Sequence, residues 1–152
     1  MSDNLPEVIA ALNNWKRRMD IAGELAARKI TIAVWTEARR ITHTTINKPK
    51  QKNGKLEYQP HKGPRTGEGP NYATGNLFWN ILAEPVRRIG FGTYVATVSS
   101  NAEYARMLEE GSDKWTSGVK FPYMRPARNL VVDSGKAQMI MNGYFKAAMR
   151  GL

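Results

Sequence analysis

A chain of 152 residues, 41% hydrophobic and 24% charged, has the size and balance of one globular domain with a real apolar core. It holds no cysteine, which excludes disulfides, thiolate zinc sites and cysteine nucleophiles and fits synthesis in a reducing cytoplasm. Its net charge of +10 favours nucleic acid or acidic partner surfaces, while Asp3, Pro6 and Glu7 break up any secretory leader and no stretch approaches the roughly 18 apolar residues of a membrane span.

The first element is a long helix over about residues 5–43. Asn4 and Glu7 stand at capping-box spacing. Leu5, Val8, Leu12, Trp15, Met19, Ala22 and Ala26 recur in steps of three and four, and Ile30, Val34, Ala38 and Ile41 extend the stripe. Gly23 and the β-branched run Ile30-Thr31-Ile32 weaken the helix locally.

Residues 46–72 differ in kind. They hold Pro49, Pro60, Pro64 and Pro70, four glycines and almost no apolar side chain, so little surface is available to offset the entropy of ordering. The segment is predicted to be a long basic loop or arm, with Lys48, Lys50, Lys52, Lys55, Lys62 and Arg65 as contacts to DNA or to a partner.

Thr74 can cap a short helix whose apolar face is Leu77, Phe78, Ile81 and Leu82, ended by Pro85. Two strand-like runs, 86–89 and 94–99, flank Gly90-Phe91-Gly92 and read as a β-hairpin. Ser100 and Glu103 then have capping-box spacing before a helix through Tyr104, Met107 and Leu108 that Gly111 can close. After a polar loop, Pro122 to Pro126 is extended, and one closing helix carries Ala127, Leu130, Val131, Ala137, Met141, Tyr144, Phe145 and Ala148. The predicted fold class is α+β: a long N-terminal helix and a C-terminal helix packed on a small antiparallel sheet, in a single domain over residues 1–152.

No catalytic, cofactor or metal constellation stands out. His43 and His61 have no partner at metal-ligand spacing. The segment from Gly63 to Gly69 lacks the lysine and spacing of a phosphate loop. Adjacent Glu109 and Glu110 diverge by about 100° on a helix. The basic groups Lys16-Arg17-Arg18, Arg28-Lys29 and Arg39-Arg40 fall on several helix faces, and the arm has one aromatic, Tyr58, which is thin for base stacking. The expectation is a protein that is not an enzyme and needs no cofactor.

Two segments carry a family pattern. One is Thr74-Gly75-Asn76-Leu77. The other runs from Tyr104-Ala105 through Glu109 and Gly111-Ser112, and resumes after a variable loop at Pro122-Tyr123-Met124-Arg125-Pro126-Ala127. Together they resemble the HK97 gp10-like family, the small neck and tail-completion (head–tail joining) proteins of long-tailed bacteriophages. The resemblance covers about residues 74–130. Glu110 stands where relatives often carry an aromatic, Phe78 where they often carry a base, and the arm is longer than usual.

The resemblance implies a homo-oligomeric ring, hexameric or larger, in the virion at the head–tail junction. Its neighbours would be head-closure or connector proteins and a tail terminator or tail tube, with channel DNA as a nonspecific contact and no membrane. Thr74, Gly75, Leu77, Tyr104, Ala105, Glu109, Gly111, Pro122, Met124, Arg125 and Pro126 are then fold-determining or interface residues, with Glu109 and Arg125 the candidates for pairing across subunit edges. Trp35, Trp79 and Trp115 are further candidates for subunit contact. Two alternatives stay open: a nonspecific DNA-binding protein, and an assembly factor absent from the finished particle.

Overall fold

The computed structural model describes residues 4–44, 50–52, 55–57, 76–111 and 120–150. Its elements in chain order are α1 (Leu5–Thr44), β1 (Lys50–Lys52), β2 (Lys55–Glu57), α2 (Asn76–Trp79), β3 (Ile81–Ala83), β4 (Arg87–Gly90), β5 (Thr93–Val95), β6 (Val98–Ser100), α3 (Ala105–Glu110), α4 (Met124–Val131) and α5 (Lys136–Arg150). The α+β class holds, with a long first helix, helices at the end and small antiparallel pairs between.

Helix α1 runs unbroken for 40 residues, roughly 60 Å at 1.5 Å per residue. Its β-branched run stays helical, and the Thr31 hydroxyl donates to the Ala27 carbonyl at 2.8 Å, as Thr36 further on does to that of Ile32 at 2.7 Å. Packing then fixes it, since α4, α5, β3, β5 and α2 all lie against it. Ala22, Ala26, Ala38 and Thr42 are buried along its stripe. The small side chains let neighbouring backbone approach closely. Gly23 serves the same end: a Cβ there would stand 2.7 Å from Cε2 of Tyr94.

The core joins Ala38 of α1 to Leu77, Ile81, Ala102, Tyr123 and Ala127, with Val34, Trp35, Val98, Tyr104, Leu108 and Met124 packed around them. Trp35 is tied inward, its indole N–H donating to the Ile81 carbonyl at 2.8 Å.

Several expectations are corrected. The short helix stops at Trp79, and Ile81–Ala83 turns into strand β3, paired antiparallel with β6 through Ile81–Ser100, Leu82–Ser99 and Ala83–Val98. Burying Ile81 against α1 from a strand outweighs extending a four-residue helix that is too short to be stable alone. The hairpin forms as β4–β5, with Gly92 at φ +67 in its turn. Residues 94–99 are therefore not one strand: β5 pairs with β4 and β6 with β3, in separate two-stranded ladders.

The single closing helix is two. Val132 ends α4, and Gly135 at φ +82 redirects the chain into α5. The Ser100–Glu103 capping box does not form; α3 starts after Tyr104 with no side-chain cap, and the Ser100 hydroxyl accepts from the Ala102 N–H instead. Gly111 does close α3, its N–H donating to Met107 at 2.8 Å. Inside the arm, β1 and β2 form a short ladder with Lys50 opposite Glu57 and Lys52 opposite Lys55. Lys48, Lys62, Arg65, Thr74, Gly75 and Trp115 lie outside the described residues.

Candidate functional site

The residues that carry the family pattern meet around the start of α4. Leu77, Tyr123 and Ala127 are buried, and Tyr104, Ala105 and Met124 pack on them. These positions build the core. Pro122 and Pro126 are half-buried; Pro122 precedes the helix, whereas Met124-Arg125-Pro126 forms its first turn and not the extended segment expected, a place where proline's missing N–H costs no helical bond.

Glu109 has a role that its spacing did not disclose. Its carboxylate accepts the backbone N–H of Tyr123 at 2.8 Å and that of Met124 as well. The first N–H groups of a helix have no intrahelical partner, and a carboxylate there is doubly favoured by hydrogen bonding and by the helix dipole. Glu109 thus caps α4 from α3, and pairs within its own chain. The Phe121 N–H donates to the Leu108 carbonyl at 2.9 Å, so α3 and the start of α4 are held together twice.

Beside this joint lies an open groove of about 750 Å³ between α1 and α4. Ile30, Val34, Ala96, Val98, Met124 and Val132 supply its apolar lining, and Glu109, Arg125, Arg128, Asn129 and Asp133 its polar edge. With its amide oriented to satisfy both ends, Asn129 donates to the Asp133 carboxylate at 3.0 Å and to the Arg125 carbonyl at 3.1 Å. Arg125 and Arg128 are exposed one turn apart, and neither pairs with a carboxylate among the described residues. Three predicted site residues, Glu109, Met124 and Arg125, therefore come together on one wall. Arg128, Asn129 and Asp133 were missed, although their i, i+3 and i+4 relations to Arg125 and Asn129 would have placed them on that face.

Two further clusters hold other elements to α1. The Arg39 guanidinium lies 4.5, 3.8 and 5.0 Å from the rings of Trp35, Phe78 and Trp79, and its Nε is buried without a partner. No carboxylate pairs with Arg39 among the described residues, so ring faces are what offset its charge. Trp79 itself is 67% exposed.

On the other side, the Tyr94 hydroxyl donates to Asp20, whose carboxylate also pairs with Arg88 at 2.6 Å. Partial burial and the Asp20 bond push the Tyr94 pKa up to about 12. The Tyr123 hydroxyl is buried without a well-formed hydrogen bond; burial raises its pKa, and the Ser100 hydroxyl opposes the rise only in part.

Of the predicted arm contacts, Lys50 and Lys52 fall on β1 and Lys55 on β2. Among the described residues no three His, Asp or Glu side chains gather in a way that would hold a metal ion, and no helix is long and apolar enough to cross a membrane. Comparison of the chain with known protein families, curated proteins and solved structures finds no match.

Proposed function

We propose that the chain is a non-enzymatic structural protein of a long-tailed phage virion, forming a hexameric or larger ring at the head–tail junction that joins the connector to the tail tube. One observation carries this reading: the pattern residues converge on a single joint, where Leu77, Tyr123 and Ala127 fill the core while Met124 and Arg125 reach an open groove. A second feature supports it. The first turns of α1 present Leu5, Val8, Ile9 and Leu12 to solvent, and uncovered apolar surface on a basic, soluble domain marks contact with other protein. The basic arm then faces an adjacent ring or the channel DNA, a role that deletion of residues 48–70 tests through tail attachment.

Deleting the gene in its phage is expected to leave DNA-filled heads and separate tails in electron micrographs, with joining restored by the gene supplied in trans. Normal joined particles without the protein would overturn the proposal. The net charge of +10 favours one second reading, nonspecific duplex binding by the free chain. That reading predicts strong affinity that falls steeply with salt.

A further inference from the structure

We infer that the bare end of α1 from one copy seats in the α1–α4 groove of the next copy, so that the ring closes by a head-to-tail contact. The inference rests on the ring reading and names the two surfaces that would join.

The groove sets the chemistry of its occupant. Its floor is apolar, made by Ile30, Val34, Val98 and Val132. Of its two acids, Glu109 is turned to two backbone N–H groups at the start of α4, and Asp133 keeps its charge while accepting from the Asn129 amide in the orientation that satisfies both of its ends. Arg125 and Arg128 stand on the rim with no paired carboxylate among the described residues. An apolar helix with acidic charge fits such a place, by burial below and charge attraction at the edge.

The chain itself carries one. No Lys or Arg precedes Lys16, in a sequence that contains 23 of them, whereas Asp3 and Glu7 both fall in that stretch. Leu5, Val8, Ile9 and Leu12 stand at i, i+3, i+4 and i+7, the spacing by which a helix anchors in a groove. They are 66%, 51%, 50% and 60% exposed. The bare end of α1, which carries Glu7 and no base, is thus an apolar counterpart to a groove with an apolar floor and two arginines on its rim that no carboxylate pairs among the described residues.

The contact has to be between copies. Leu12 and Ile30 are 18 residues apart on one continuous helix, roughly 27 Å, so α1 cannot fold its own end into its own groove. Two different surfaces that fit each other generate a heterologous chain of subunits, which closes into a ring when the rotation permits. One helix end in one groove is a small interface, below about 1,200 Å². A single contact is therefore weak, and closure of the ring is what makes the assembly persist.

The absence of cysteine makes the test clean. Val8→Cys and Val132→Cys are placed together in the full chain, at positions 51% and 40% exposed, and the protein is oxidised mildly at high concentration. The expected product is a ladder of linked species beyond the dimer on a non-reducing gel, with each single variant remaining a monomer. Adding Arg125→Glu and Arg128→Glu is expected to cut the linked fraction at least fivefold, with the helical circular dichroism unchanged. Dimers from Val8→Cys alone would show bare ends pairing with each other and overturn the inference, as would an unlinked double variant or a ladder indifferent to the arginine changes. Any of those results leaves the ring reading standing if the protein is still found in particles; its absence from particles would remove the ring reading instead.

Discussion

The two ends of α1 share one stripe and meet opposite fates. From Ala22 onward the stripe alternates small buried side chains such as Ala22, Ala26 and Ala38 with Ile30, Val34 and Ile41, and α4, α5, β3, β5 and β6 lie against the helix. Before Trp15 the same angular face carries Leu5, Val8 and Leu12, and nothing among the described residues covers it. Small residues suit the covered half, because they let neighbouring backbone come close. Large branched residues suit the bare half, because side chains that project far from the axis can fill a groove on another surface. The difference teaches that a continuous hydrophobic period identifies a helix without saying whether its face belongs to a core or to a contact; the elements packed against it separate the two.

Mutations sharpen that contrast. The largest effect is expected inside the covered half's core. Ile81→Ala removes a side chain that is 2% exposed beneath Trp35, and should cost about 2–5 kcal/mol in chemical denaturation. Glu109→Ala comes next: it leaves two N–H groups at the start of α4 without their carboxylate, a loss of about 1–3 kcal/mol. A cost near zero would mean that α4 is capped by other means.

Two tyrosines are expected to act in opposite directions. Tyr94→Phe removes the hydroxyl bond that pins the β4–β5 hairpin to Asp20, and should lower neutral-pH stability by about 1 kcal/mol. The pH dependence follows from the raised pKa. The folded chain keeps the Tyr94 proton up to about 12 against an ordinary 10.0, so the stabilisation is complete below about pH 10 and is lost as pH rises towards 12. Denaturation curves of the Tyr94→Phe protein should lack that part of the alkaline decline. Tyr123→Phe should instead stabilise the protein by about 1 kcal/mol, because it deletes a buried hydroxyl without a well-formed bond. The smallest stability effect belongs to the bare end. Leu12→Asp, at a side chain 60% exposed, should shift the monomer by less than about 0.5 kcal/mol while abolishing the intersubunit cross-link.

These elements also show what can be read from a sequence. The long helix was legible because its period persists for 40 residues, and no competing signal lasts as long. Strand β3 was not, since Ile81 and Leu82 continue the apolar spacing of Leu77 and Phe78, and only the distant partner β6 decides between helix and strand. The break between α4 and α5 was marked by Ser134-Gly135, yet the apolar period runs across it, and only the positive φ of Gly135 reveals the turn. Glu109 was picked out as a charged residue between structured segments, but its partners are backbone groups 14 and 15 positions away. No side-chain pattern encodes such a bond. The groove was legible only in part. Met124 and Arg125 lay within the pattern, while Ile30, Val34 and Val98 join it through the packing of α1 on α4 and β6.

The central claim is that this chain is a building part of a particle. Quantitative mass spectrometry of purified virions, from the phage that the proposed function requires to encode it, tests this most directly. The account predicts the protein in every preparation, at a small fixed copy number per particle consistent with one hexameric or larger ring. Particles that are joined, infectious and free of the protein would contradict it.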